Sequence, residues 1–163
     1  MPPAPQLCVH RAADAIGGNC VEIVATEGAR LLLDAGMPLD ADVPPGASGA
    51  EHIPASLDLT RPVAGVLLSH AHPDHCGLLT PLPKHWPVYS GPGTRLLATL
   101  GAPPQRPWHE WQSGQAFMCG CFRVTPHLVD HSGFDAYALE IAVDDKKSWV
   151  MTSTEGFFGA GRG

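Results

Sequence analysis

Ser69-His70-Ala71-His72-Pro73-Asp74-His75-Cys76-Gly77 places three imidazoles and one carboxylate within six positions. The preceding run, Ala64-Gly65-Val66-Leu67-Leu68, is short, apolar and bounded by Pro62 on one side and polar residues on the other, which reads as a buried strand. Side chains alternate along an extended backbone, so His70 and His72 project to one side and can reach one ion through Zn–N bonds of about 2.0–2.1 Å, while Ala71 points away. Pro73 keeps His72 extended and suits the first turn of a helix, at whose start Asp74 and His75 face a second ion. A solvated polar loop would explain one histidine. It does not explain four ligand-type residues at this spacing at the end of a strand, where divalent-metal hydrolases gather their donors.

The rest of the chain sets limits on what such a site belongs to. With 163 residues, 44% hydrophobic and 16% charged, the sequence describes one ordinary globular domain. No apolar run approaches the about 20 residues of a membrane-spanning helix, and Met1-Pro2-Pro3-Ala4-Pro5 has neither the charged nor the apolar region of a signal peptide, so a cytoplasmic, non-membrane protein is expected. The five cysteines are odd in number and scattered, which suits reduced thiols. Cys119-Gly120-Cys121 reads as either a soft metal pair or, with sheet-forming neighbours, two small residues on a strand; Cys76, next to His75, is either reactive or packed. A net charge of −6 opposes a broad basic surface for nucleic acid while leaving room for a small anionic substrate.

Strands are expected near Leu7–Val9, Cys20–Ala25 and Ala29–Leu33, then a long Pro- and Gly-rich loop over 36–62 in which His52 is an exposed histidine. After the histidine motif come a short helix over Cys76–Leu82, a parallel strand at Pro87–Ser90 and a helix over Gly93–Leu100 capped by Thr94. Gly101–Trp111 reads as a connection with tryptophan anchors, and His85 and His109 fall outside any ligand pattern. Residues 115–126, 136–143 and 148–153 alternate as three further strands. Composition and pattern alone specify mixed α and β.

His70-x-His72-x-Asp74-His75 resembles the signature of the metallo-β-lactamase superfamily, and the likeness extends along most of the chain. Ile16-Gly17-Gly18-Asn19-Cys20-Val21-Glu22-Ile23 and Leu31-Leu32-Leu33-Asp34-Ala35-Gly36 look like its first strands, and Val129-Asp130-His131-Ser132 like its next ligand segment. With Ala136 to Ile141 following, this segment is most similar to the ribonuclease J and β-CASP-like branch, although the chain has no room for that branch's inserted domain. The resemblance implies an α/β fold, the αββα sandwich. It implies that His70, His72 and His131 hold a first zinc ion with a position open for water, that Asp74 and His75 help hold a second, and that a hydroxide shared by the metals and oriented by Asp74 is the nucleophile. Asp34 would lie behind the site and fix ligands by hydrogen bonds, or else simply form a turn before Ala35-Gly36. Asp130 would point to the opposite side, and Ser132 would serve a turn.

The pattern breaks after residue 150. The superfamily's bridging aspartate has no counterpart in Val150-Met151-Thr152-Ser153-Thr154-Glu155-Gly156, where Glu155 is the nearby carboxylate that can substitute, and the final histidine ligand is not found. One tightly held zinc and a weak or absent second ion are therefore expected, with Mn2+ or Fe2+ as other occupants. Residues 1–163 are expected to form a single domain lacking the C-terminal part of the sandwich. Its inner sheet face would be half-covered and would turn to a second copy of the chain as a homodimer. The function expected is metal-dependent hydrolysis of phosphodiesters, on a small-molecule or nucleic-acid (RNA or DNA) substrate. A catalytically impaired metal-binding protein, and hydrolysis of a lactam, thioester or lactone, are the alternatives.

Overall fold

The computed structural model describes residues 4–14 and 16–143, together with the backbone of 147–151 and 157–158. Two sheets carry the chain. The first is built from β1 (Gln6–Arg11), β2 (Cys20–Val24), β3 (Arg30–Leu33), β4 (Gly65–Leu67), β5 (Val88–Ser90) and β6 (Trp108–Glu110), side by side in sequence order. It begins as an antiparallel meander and becomes parallel from β3 onward. The second is antiparallel throughout, in the order β11-β10-β9-β8-β7, from β7 (Phe117–Cys119), β8 (Phe122–Leu128), β9 (Tyr137–Val143), β10 (Lys147–Met151) and β11 (Phe157–Phe158). Two short helices, α1 (Pro73–Cys76) and α2 (Pro92–Ala98), follow β4 and β5.

Every residue of β3 is buried, as expected of a central strand covered on both faces. Its odd positions, Leu31 and Leu33, join Ile23 and Leu67 against Phe122, Val124, Leu139, Ile141 and Val143 of the second sheet. Leu32 points the other way, with Val66, Leu68 and Val88, into a layer made by Leu57, Val63, Leu78, Leu82 and Trp86. This arrangement is an α/β fold with sheet packed on sheet, the buried residues of β7 to β9 lying against the inner side of the first sheet.

Local expectations differ from the structure in several places. The helix expected over Cys76–Leu82 stops at Cys76, because the Leu78 N–H turns to the Ala35 carbonyl (2.8 Å) instead of continuing the helical ladder. Residues 115–126 are a hairpin, not one strand: Gly120 takes a φ of 60° at the first position of its two-residue turn, which sends buried Cys119 and exposed Cys121 to opposite sides of that turn. The 101–111 connection contains β6. Thr94 does not cap α2 with its own side chain; the N-cap is Gly91.

The proline-rich loop is ordered by arginines from the first sheet. Arg11 donates to the carbonyls of Gly36 and His52, and Arg30, ion-paired with buried Glu22, donates to those of Asp58 (2.9 Å) and Arg61 (3.0 Å). His52 is half-buried rather than exposed, beside Glu51 at 3.7 Å. Among the described residues no helix is long and apolar enough to cross a membrane.

Candidate metal centre

β4 delivers the chain to the site. Beyond Leu67 the chain bends at fully buried Ser69 and again at Ala71 and His72; His70 is fully buried between these bends, and His72, with a φ of −67° and a ψ of 145°, is the N-cap of α1, with Pro73 in the first helical position. The short helix is gripped by its backbone. Asn19 N–H donates to the Asp74 carbonyl (2.9 Å), Met37 N–H to that of Pro73 (2.9 Å) and Ala35 N–H to that of His75 (2.8 Å). Gly36 must be glycine, since a Cβ there would lie 1.8 Å from the Asp74 oxygen. The Gly-Gly-Asn and Asp-Ala-Gly segments flanking β2 and β3 thus aim α1.

His131 arrives from the other sheet, on the loop between β8 and β9. Val129 N–H to the Ala136 carbonyl (3.0 Å) closes this loop, and Tyr137 N–H to the Ser69 carbonyl (3.0 Å) seats it beside the motif. His70, His72 and His131 then present ring nitrogens that all lie within 4.8 Å of one another, the one such group of His, Cys, Asp or Glu among the described residues. The Nε2 atoms of His70 and His131 are 3.3 Å apart. Two nitrogens bonded to one tetrahedral zinc at about 2.05 Å are separated by about 3.3 Å. The His70 and His131 nitrogens match a shared ion, and His72 lies close enough for the three rings together to be able to hold one.

His75 and Asp74 form a second pair, His75 Nε2 standing 3.5 Å from Asp74 Oδ2. The His70 and His75 ring centroids are 4.0 Å apart, so the two groups of donors adjoin. Behind both lies Asp34, 1% exposed. Its Oδ1 accepts from the Ser69 N–H (2.8 Å), and its Oδ2 accepts from the Ser69 hydroxyl (2.9 Å) and from His75 Nδ1 (2.7 Å). Because the Ser69 proton goes to Asp34, its oxygen can only accept from His70 Nδ1 at 3.1 Å. Both histidines are thereby set with protons on Nδ1, which leaves Nε2 as the ring nitrogen with a lone pair. Burial first, then the neighbouring His75, push the His70 pKa down to about 3 against an upward pull from Asp34. A neutral imidazole is the form that binds metal.

The other residues singled out in the sequence separate cleanly. Asp130 and Ser132 are exposed and outside the cluster. Burial lifts the Cys76 thiol to about 12, and its S–H points at the Ala71 carbonyl, so this cysteine is packed and protonated. Glu155 lies outside the described residues. Sequence reading passed over Ser69, Gly133 and Asp135. Gly133 abuts the His70 ring: a Cβ would come 2.5 Å from His70 Cδ2. Gly133→Ala is expected to cost about 1–3 kcal/mol by overpacking, read as a lower unfolding midpoint in urea, and to weaken zinc retention.

The sequence profile of the metallo-β-lactamase superfamily matches residues 13–145. The chain belongs to the metallo-β-lactamase superfamily. Solved structures agree on the metallo-β-lactamase fold. A protein of unknown function from Enterococcus faecalis V583 is 22% identical with a TM-score of 0.71, over 92% of this chain and 43% of that one. The metallo-β-lactamase fold protein YhfI from Bacillus subtilis is 19% identical with a TM-score of 0.67, over 92% and 62%. Zn2+-bound PqqB from Methylobacterium extorquens is 16% identical with a TM-score of 0.52, over 81% and 47%. The chain thus spans about half of the length of these metallo-β-lactamase-fold proteins. No curated protein matches it.

Proposed function

We propose that this metallo-β-lactamase-fold chain is a metal-dependent hydrolase acting on phosphodiesters, with one zinc held by His70, His72 and His131. The observation that carries the reading is the 3.3 Å separation of the His70 and His131 Nε2 atoms, with His72 in the same group. Zinc bound there supplies Lewis acidity, polarising a phosphoryl or carbonyl oxygen and acidifying water so that a nucleophile exists near neutral pH. Manganese or iron would serve the same donors.

The chain's own groups divide the remaining work. Asp74, half-buried at the start of α1, accepts and orients the proton of the attacking water. His75 and Asp74 offer a second, weaker site of two side chains, fewer donors than a stable all-protein site has. Asp34 and Ser69 hold the imidazoles in the ligand tautomer. The phosphodiester assignment is supported by the Asp130-His131-Ser132 segment and the Ala136-Tyr137-Ala138-Leu139-Glu140-Ile141 run that follows, which resemble the ribonuclease J and β-CASP-like branch. The net charge of −6 favours a short or small substrate over a long polyanion.

Zinc- and manganese-loaded protein, assayed on bis(p-nitrophenyl) phosphate, single-stranded RNA, a chromogenic lactam, a thioester and a lactone, tests this. Turnover of the phosphodiesters that His72→Ala abolishes is expected. Turnover confined to the lactam, thioester or lactone overturns the substrate assignment, and bound metal without turnover on any of them overturns the hydrolase.

A further inference from the structure

Of the three clustered rings, His131 alone comes from the second sheet, and the loop that carries it exposes Asp130, Ser132 and Phe134. The backbone bonds at Val129 and Tyr137 fix where this loop begins and ends but not where residue 131 sits between them. We propose, resting on the metal-centre reading above, that Asp135 is a positioning residue that holds His131 against His70 by clamping the 131–136 loop onto the first turn of α2.

All three oxygens of Asp135 are engaged. Oδ2 accepts from the Thr94 N–H (2.8 Å), Oδ1 from the Tyr137 hydroxyl (2.9 Å), and the backbone carbonyl from the Thr94 hydroxyl (3.1 Å). The first turn of any helix has N–H groups without partners in the helix itself, and here Pro92 and Gly93 bring no side chain to cap them. Asp135 supplies the missing acceptor from another segment. It does so at a φ of 58°, a left-handed conformation that aspartate tolerates better than most residues.

The clearances on both sides of the loop match this role. A Cβ at Gly91 would lie 2.2 Å from Asp135 Oδ2, and one at Gly93 would lie 2.5 Å from the Phe134 ring and 2.7 Å from the Asp135 Cβ. Gly91-Pro92-Gly93 is therefore a seat cut to the loop. On the far side, Gly133 lets the same loop close on the His70 ring. Wedged between α2 and His70, the loop leaves the His131 ring its place, with centroids 4.6 Å apart.

A residue that only stabilised α2 would affect the fold without acting through His131, and a double-mutant cycle separates the two. Zinc affinity, measured by competition with a chromophoric chelator, should fall about 10–100-fold in Asp135→Ala, the range seen when a group orienting a metal ligand is removed. The same substitution should change nothing further in a His131→Ala background. Unchanged affinity, or an equal loss in both backgrounds, overturns the proposal. In metal-free protein, a nuclear Overhauser contact between the His70 and His131 rings is expected for the parent and lost in Asp135→Ala; its persistence also overturns it. Asp135→Asn, whose amide oxygen still accepts from Thr94, should recover part of the affinity. Should Asp135→Ala not fold, Gly91→Ala, which drives a methyl group into the carboxylate's seat, carries the same expectations. A parent chain that binds no zinc overturns the metal-centre reading alone, and the ring contact then decides on Asp135.

Discussion

His131→Ala is expected to abolish tight zinc binding, although the substituted residue lies some sixty positions from the other two ligands, on a loop joining two strands of the second sheet. Three imidazoles are what a catalytic zinc site needs when one position stays open, and removing one leaves His70 and His72 alone. The loss should exceed the about 10–100-fold that follows from losing a residue that merely supports a ligand, and hydrolysis should fall with it. His131 is only half-buried, on a loop outside the strands, so the metal-free variant should unfold within about 0.5 kcal/mol of the parent. The contrast between lost metal and intact fold is the signature. Competition with a chelator gives the first quantity and urea unfolding without metal the second.

Asp34→Ala should do the reverse and strike the fold as hard as the site. The substitution removes the carboxylate that accepts from the Ser69 N–H, the Ser69 hydroxyl and His75 Nδ1. A buried donor that loses its acceptor costs about 1–3 kcal/mol, and alanine must also adopt the φ of 56° that aspartate tolerates better. We expect a loss of at least about 3 kcal/mol, a large share of the about 5–15 kcal/mol that holds a domain together. Urea unfolding of the metal-free protein measures it. A loss below about 1 kcal/mol would mean that these bonds are not made, since one buried orphan alone costs that much.

The two residues show what a sequence can and cannot disclose. The histidine motif was legible because its spacing is local: a strand end, a proline and the first turn of α1 set four side chains within six positions. β2, β3 and β9 were legible for a similar reason, since apolar runs and alternation are written in consecutive residues. What stayed hidden depends on partners far along the chain. β6 is three residues in a proline-rich stretch and becomes a strand through its register with β5. Helix α1 stops early because Leu78 finds Ala35, forty-odd positions back. Ser69 and Asp135 have no local pattern, as their meaning comes from Asp34 and Thr94 across the fold. Asp34 could be read either as a turn or as a buried support, and the distances to Ser69 and His75 place it with those two residues.

X-ray absorption spectroscopy of the zinc-loaded chain, after dialysis to remove loosely held ions, reaches the central claim most directly. The account predicts one retained zinc per chain with a first shell of nitrogen and oxygen donors near 2.0–2.1 Å, including the multiple-scattering signature of three imidazoles in the parent and of two in His131→Ala loaded with excess zinc. A spectrum with fewer than three imidazoles in the parent, a sulfur shell at about 2.3 Å from the cysteines, or no zinc left after dialysis would contradict it.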